Sequence, residues 1–182
     1  MPHISVPAAE LNTRLDRLRC AMTEKDPAWS MLLLDNTLDM YYFTGTMQDG
    51  ALVVTPDQAT LFVRRSFDVA KDESAFADIR PMGSFRGIKE VYPDIPETVY
   101  VAAKTMTLQK LSMLNKHLPF APKPMDGVLS ALRSVKSAYE LDCMRESGRL
   151  HRYVIEELAP AFLREGVSEA RLCSEICTAI VD

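Results

Sequence analysis

The chain lacks most of the signals that would place a protein quickly. No apolar run approaches the roughly 20 residues of a membrane span. The opening residues, Met1 to Glu10, have neither the basic nor the apolar segment of a secretory signal. Cysteine is sparse: Cys20, Cys143, Cys173 and Cys177 do not form the framework of a small disulfide-stapled domain, so reduced thiols and a cytoplasmic location are expected. No single sign of charge dominates. The 21 basic and 25 acidic residues leave a net charge of −4, with no electrostatic footprint for nucleic acid or an anionic membrane. The chain has no G-x-S-x-G elbow, P-loop or G-x-G-x-x-G, which leaves serine hydrolysis, phosphate cradling and dinucleotide binding without a warrant. His3, His117 and His151 belong to no metal-ligating pair spacing. The seven glycines and eleven prolines are scattered, so no low-complexity linker divides the chain.

What is present is a globular composition, 47% hydrophobic and 25% charged, in a chain long enough for one domain or slightly more. Leu11, Leu15, Leu18 and Met22 make a helical stripe, with Arg14, Asp16, Arg17 and Arg19 assigned to the other faces and a stop at Asp26-Pro27. Trp29 to Leu34 reads as a buried strand. Ala51–Thr55 and Thr60–Arg64 form a hairpin with Pro56 in its turn. Helical pieces over 66–77, 85–91, 108–118 and 128–132 alternate with strands at 79–82 and 98–102. Phe120-Ala-Pro reads as an edge strand, because proline cannot donate to a ladder. The alternation predicts an α/β layer sandwich with a mainly hairpin-and-crossover sheet.

The organising stretch is Arg133-Ser-Val-Lys-Ser-Ala-Tyr-Glu-Leu-Asp-Cys-Met-Arg-Glu-Ser-Gly148. Ser137 and Glu140 have capping-box spacing, so a helix starts there. Leu141, Met144, Gly148, His151, Ile155, Leu158 and Phe162 then recur at steps of three and four, on one predicted face. A second helix begins at Ser168, with Leu172, Cys173, Ile176, Cys177 and Ile180 on its apolar face. The domain boundary falls between Ser134 and Ser137, giving residues 1–134 and 135–182. The second helical pattern is still running at Asp182, which predicts a piece of a longer polypeptide.

This stretch resembles the join between the two domains of the creatinase, aminopeptidase P and prolidase family, a "(I/L)R-x-(V/I)-K-S-x-x-E-(I/L)-x-x-M-R-x-(A/S)" segment. Arg133, Val135, Lys136, Ser137, Glu140, Leu141, Met144, Arg145 and Ser147 fall on it. Arg14-Leu15 with Leu18, Leu32 to Leu34, and Tyr41-Tyr-Phe-Thr-Gly45 are similar to the family's opening. Leu61-Phe-Val-Arg-Arg65 with Phe67 and Ala70 is similar to its strand-to-helix turn, and Gly166-Val-Ser-Glu169 to the start of its second catalytic-domain helix. The resemblance runs from about Arg14 to the last residue. It implies a creatinase-like N-terminal domain of three layers, a mixed sheet with helices on both faces, followed by two helices of a truncated pita-bread domain.

Members of that family are mostly metal-dependent hydrolases that cleave on the amino side of proline. The resemblance implies a divalent metal pair (Mn, Co or Zn) held by two Asp, one His and two Glu downstream of the second helix. None of those positions exists in this chain, so no catalytic or metal residue is assigned here. In relatives the segment matching Tyr41, Tyr42 and Phe43 is a loop facing the active-site mouth, often a neighbouring subunit's. Those aromatics, with Arg64 and Arg65 as partners for a substrate carboxylate, are the candidate substrate-proximal residues. The alternative for Tyr41 to Phe43 is alternate packing into the core, with Gly45 in a tight turn. Solvation is the alternative for the two arginines.

The remaining polar candidates read as structural. Asp35, Asp39 and Asp49 suit turns and caps. His151 suits packing or a local partner, and Cys173 and Cys177 suit small core hydrophobes rather than a metal or redox pair. The chain is thus expected to be the non-catalytic N-terminal portion of an Xaa-Pro aminopeptidase or prolidase-like enzyme, inactive alone. It would shape the substrate entrance and a homodimer interface, with proline-containing peptides as substrates of the whole protein. A creatinase-like non-peptidase hydrolase and a stand-alone binding or dimerisation module are the alternatives.

Overall fold

The computed structural model describes residues 5–181; His3 and Asp182 lie outside the described residues. Helix α1 (Ala8–Lys25) starts at Pro7 and ends at Asp26, whose backbone is extended because Pro27 follows it. Strand β1 (Leu32–Leu34) leads through Asn36 into α2 (Thr37–Thr44). The hairpin β2 (Gly50–Val54) and β3 (Ala59–Val63) turns at Pro56, closed by Thr55 N–H to the Gln58 carbonyl at 2.8 Å. Then follow α3 (Phe67–Glu73), β4 (Ile79–Pro81), a 3₁₀ turn (Phe85–Gly87) running into α4 (Ile88–Val91), β5 (Thr98–Val101), α5 (Leu108–Asn115), β6 (Ala121–Pro124) and α6 (Asp126–Ser134).

The strands form one mixed sheet in the order β4-β3-β2-β1-β5-β6, in which only β2 runs against the other five. Alternation along the strands sends Leu33, Ala51, Val53, Phe62, Val99 and Val101 to one face, where Phe85, Ile88, Leu114 and Leu118 pack on them. Leu32, Leu34, Leu52, Val54, Leu61 and Val63 point the other way and are buried as fully. A sheet buried on both faces explains why β1 reads Leu-Leu-Leu instead of alternating. Each such side chain contributes about 1.5–3 kcal/mol on burial.

Both edges of the sheet end in proline. On β6, Ala121 and Met125 donate inward to Glu97 and Val101, so the backbone nitrogens of Pro122 and Pro124 lie in the outward phase. On β4, Met82 donates inward to Val63, which leaves Pro81 in the outward phase. Proline is tolerated at these positions because no ladder bond is lost.

Contacts within the chain divide it into two units, one ending at Val135 and the next beginning at Lys136. The second unit opens with α7 (Ala138–Tyr153), capped by the reciprocal Ser137–Glu140 box that the S-x-x-E spacing predicts. A π-helical turn (Val154–Leu158) follows, then α8 (Ala159–Phe162) and α9 (Glu169–Val181). The wide turn has a cause in Pro160, which has no N–H and whose ring would strike the carbonyl four residues back in a regular helix.

The extra residue in that turn moves the covered position from Ile155 to Val154, and residues 141–153 before it are exposed throughout. Val154, Leu158 and Phe162 are half-buried, whereas Leu141, Met144, His151 and Ile155 are exposed. His151 is not packed; its Nδ1 lies 2.7 Å from the Ser147 carbonyl in its own helix. On α9 the half-buried residues are Leu172, Glu175, Ile176 and Ala179. Cys173 and Cys177 are exposed free thiols, contrary to their reading as core residues, because the inward phase falls one position earlier.

One polar cluster ties the end of α1 to the far strands. The Tyr100 hydroxyl and the Lys123 ammonium donate to Asp26 at 2.6 and 2.9 Å. The Tyr100 hydrogen bond first, then that from Lys123, holds the Asp26 carboxyl down at about 2. A carboxyl lowered on folding stabilises the fold fully above its unfolded value, and that contribution is lost as pH falls through the folded one. Asp26→Asn is therefore expected to lower stability at neutral pH and to flatten its dependence on pH between about 4 and 2, read as urea midpoints across that range.

Candidate functional site

The aromatic segment lies on α2, not on a loop. Asn36 caps this helix by accepting the Asp39 N–H at 2.9 Å, and its own amide donates to the Asp39 carboxylate at 2.6 Å. At the other end Gly45 adopts φ 75°, open to glycine without strain, and its N–H reaches the Tyr41 carbonyl at 2.8 Å. Successive helical residues point about 100° apart, so the three rings cannot share a direction. Tyr42 and Phe43 go into the core and meet edge to face at 4.9 Å, while Tyr41 remains 37% exposed.

Two arginines hold α2. Arg14, assigned to an outer face of α1, is instead 4% exposed and donates to Glu10 at 2.8 Å and to the Tyr42 carbonyl at 2.7 Å. Its guanidinium also lies 4.3 Å from the Tyr42 ring centroid. The position was legible, since 14 is three beyond Leu11 and four before Leu18. Arg133 pairs with Asp39 at 3.0 Å and so ties α6 to the first turn of α2.

The loop leaving α2 runs to the carboxyl edge of the sheet. Thr46 and Gln48 both donate to Glu73, and the Ser74 hydroxyl donates to the Thr44 carbonyl. Arg64 follows β3 and grips the Asp49 carboxylate through Nε and Nη2 at 2.8 and 2.6 Å. Gly50 is required between them, because an added Cβ would lie 2.0 Å from the Phe62 carbonyl oxygen. Arg65 is exposed, with no side-chain partner among the described residues, and Ser66 after it turns the chain through φ 59°.

On β1's carboxyl end, Asp35 pairs with Lys110 at 2.9 Å and keeps Oδ1 buried without a hydrogen bond. Two adjoining cavities of about 300 and 290 Å³ open at this edge and share Arg64, Met82, Phe85 and Met113. The carboxyl ends of the strands are where open α/β sheets place their ligands.

The structure thus connects the two groups of candidates through the loop at 45–49. It also engages them unequally: Tyr41 and Arg65 face solvent, Arg64 is paired on the surface, and Tyr42 and Phe43 are core. Asp35, Asp39 and Asp49 each meet a cation, as ion-pair partners more than as turn residues. Among the described residues, no group of three or more His, Cys, Asp or Glu side chains could hold a metal ion. No described helix is long and apolar enough to cross a membrane.

A family model described as the creatinase/prolidase N-terminal domain matches residues 14–135. Among solved structures, an Xaa-Pro dipeptidase from Bacillus anthracis superposes with a TM-score of 0.77 at 20% identity, covering 91% of this chain and 47% of that one. A dipeptidase PepE from Mycobacterium ulcerans gives 0.75 at 26% identity, covering 98% of this chain and 51% of that one. The creatinase/prolidase N-terminal domain of an X-Pro dipeptidase from Streptococcus pyogenes gives 0.55 at 18% identity, covering 66% of this chain and 98% of that domain. The chain spans about half the length of the first two. No curated protein sequence matches it.

Three substitutions test this geometry. Gly50→Ala is expected to cost about 1–3 kcal/mol by overpacking against Phe62, whereas Gly83→Ala, with open space at its Cβ, should leave stability within about 1 kcal/mol. Arg14→Met removes charged hydrogen bonds to the half-buried Glu10 and to the Tyr42 carbonyl and should cost about 2 kcal/mol. Urea denaturation of the three variants checks all of these values.

Proposed function

The chain belongs to the creatinase/prolidase N-terminal domain family, and we propose that it is the non-catalytic N-terminal portion of a metal-dependent Xaa-Pro hydrolase. The family match across residues 14–135 carries this reading, with the likeness to an Xaa-Pro dipeptidase of about twice the matched length in support. Residues 136–181 form the opening helices of the pita-bread domain, and catalysis belongs to chain beyond them. The residues here do not fit a divalent metal pair. The carboxylates at the sheet's carboxyl edge are taken up by Lys110, Arg133 and Arg64, and no cluster of ligands remains among the described residues.

The role of this portion is to bound the substrate entrance of a homodimer. Tyr41 presents a ring fixed on a helix that Arg14 and Arg133 hold at opposite ends, suited to stack on a proline ring. Arg65 offers an uncommitted guanidinium. Arg64 is bound to Asp49, but an ion pair as exposed as this one is worth under about 1 kcal/mol, so a substrate carboxylate can compete for it. The unpaired cysteines fit the cytoplasm that this reading includes.

Hydrolysis of Xaa-Pro dipeptides and tripeptides with added manganese or cobalt is the test. It is run on this chain and on the polypeptide obtained by continuing its reading frame past Asp182. Activity is expected only in the longer protein, and activity in the 182-residue chain would overturn the proposal. In the active protein Tyr41→Ala is expected to raise KM several-fold with little loss of stability; an unchanged KM would remove Tyr41 from the entrance.

A further inference from the structure

We propose that the cavity between the 3₁₀ turn at Phe85 and the end of α5 binds a small carboxylate with an apolar body. Its volume is about 290 Å³, at the small end of ligand pockets. Met82 and Phe85 form the floor; both belong to the core yet remain open to this space. Around the floor stand donors: the Ser84 hydroxyl, the Lys116 ammonium, the His117 imidazole and the Arg64 guanidinium.

No acidic residue lines this cavity among the described residues, so an anion meets no like charge there. Asp49, which lines the adjoining cavity, is already bound by Arg64. The side chains of Lys116 and His117 have no hydrogen-bond or ion-pair partner among the described residues. Their place at the end of α5 favours positive charge through the helix carbonyls but supplies no discrete counterion. Space also remains beside Gly83, where an added Cβ would meet nothing within 4 Å.

One cation without a partner, hydroxyl and imidazole donors and an apolar floor match a monoanion that buries its carbon skeleton. An inorganic anion would leave the floor unused, and a neutral apolar molecule would make no use of the exposed ammonium. The carboxylate sits toward Lys116 and Ser84, and the skeleton lies on Met82, Phe85 and Met113.

The test is a titration of the 182-residue chain followed by amide nitrogen–proton correlation spectra, with phenylacetate, phenylethanol and acetate as probes at fixed pH and ionic strength. Phenylacetate should give saturable shifts at Gly83, Ser84, Met113, Lys116 and His117, with phenylethanol and acetate each at least about fivefold weaker. Lys116→Gln, at an exposed position, should keep the remaining spectrum and bring phenylacetate down to the level of the alcohol. Equal binding of acid and alcohol, equal binding of acetate, shifts elsewhere, or no saturation would each overturn the proposal.

Discussion

The buried guanidinium of Arg14 is the constraint around which one face of the domain is arranged. It answers Glu10 on its own helix, the Tyr42 carbonyl near the end of α2 and the face of the Tyr42 ring. A cation near a helix C-terminus is favourable, and here the low exposure keeps water from screening it. Tyr42 in turn reaches the Leu132 carbonyl with its hydroxyl, at a weak 3.4 Å, and Arg17 approaches the same oxygen at 3.3 Å. α1, α2 and α6 are thereby locked by directed contacts as well as apolar packing. Removing the guanidinium would break the tie between α1 and α2.

The carboxyl edge of the sheet is organised differently. There Arg64 and Asp49 pair on the surface and half-exposed Lys110 covers the buried Asp35, and each pair neutralises an acidic side chain that would otherwise repel an anion. What remains at that edge is a surplus of donors, from Arg65, Lys116 and His117. A surface pair such as Arg64–Asp49 suits a face that receives a ligand, since it costs little to exchange.

The fold was largely legible because its strands are short apolar runs bounded by turn residues. Leu32 to Leu34, the hairpin at Pro56 and the proline-bearing β6 all follow from that pattern. The Ser137–Glu140 box was legible for a local reason, since both partners lie within one turn. What failed depended on phase or on distant partners. Arg14 was assigned by its charge, although its spacing placed it on the apolar stripe. Pro160 shifted the register of the helix around it, so Ile155 points outward and Val154 inward. Gly50 could not be distinguished from any other strand glycine until the Phe62 carbonyl was seen beside it. The segment Tyr41 to Phe43 carries aromatic residues suited to strands, yet the caps at Asn36 and Gly45 make it a helix.

The prolines at the two margins of the sheet have a consequence for how copies of this domain can meet. A strand arriving alongside β4 or β6 would look for a regular row of outward N–H groups and find it interrupted at Pro81, or at Pro122 and Pro124. Neither margin can propagate a continuous intermolecular ladder, the route by which small sheet proteins most readily misassemble into fibres. Association between copies is left to side-chain surfaces on helices and loops, where shape and charge choose the partner.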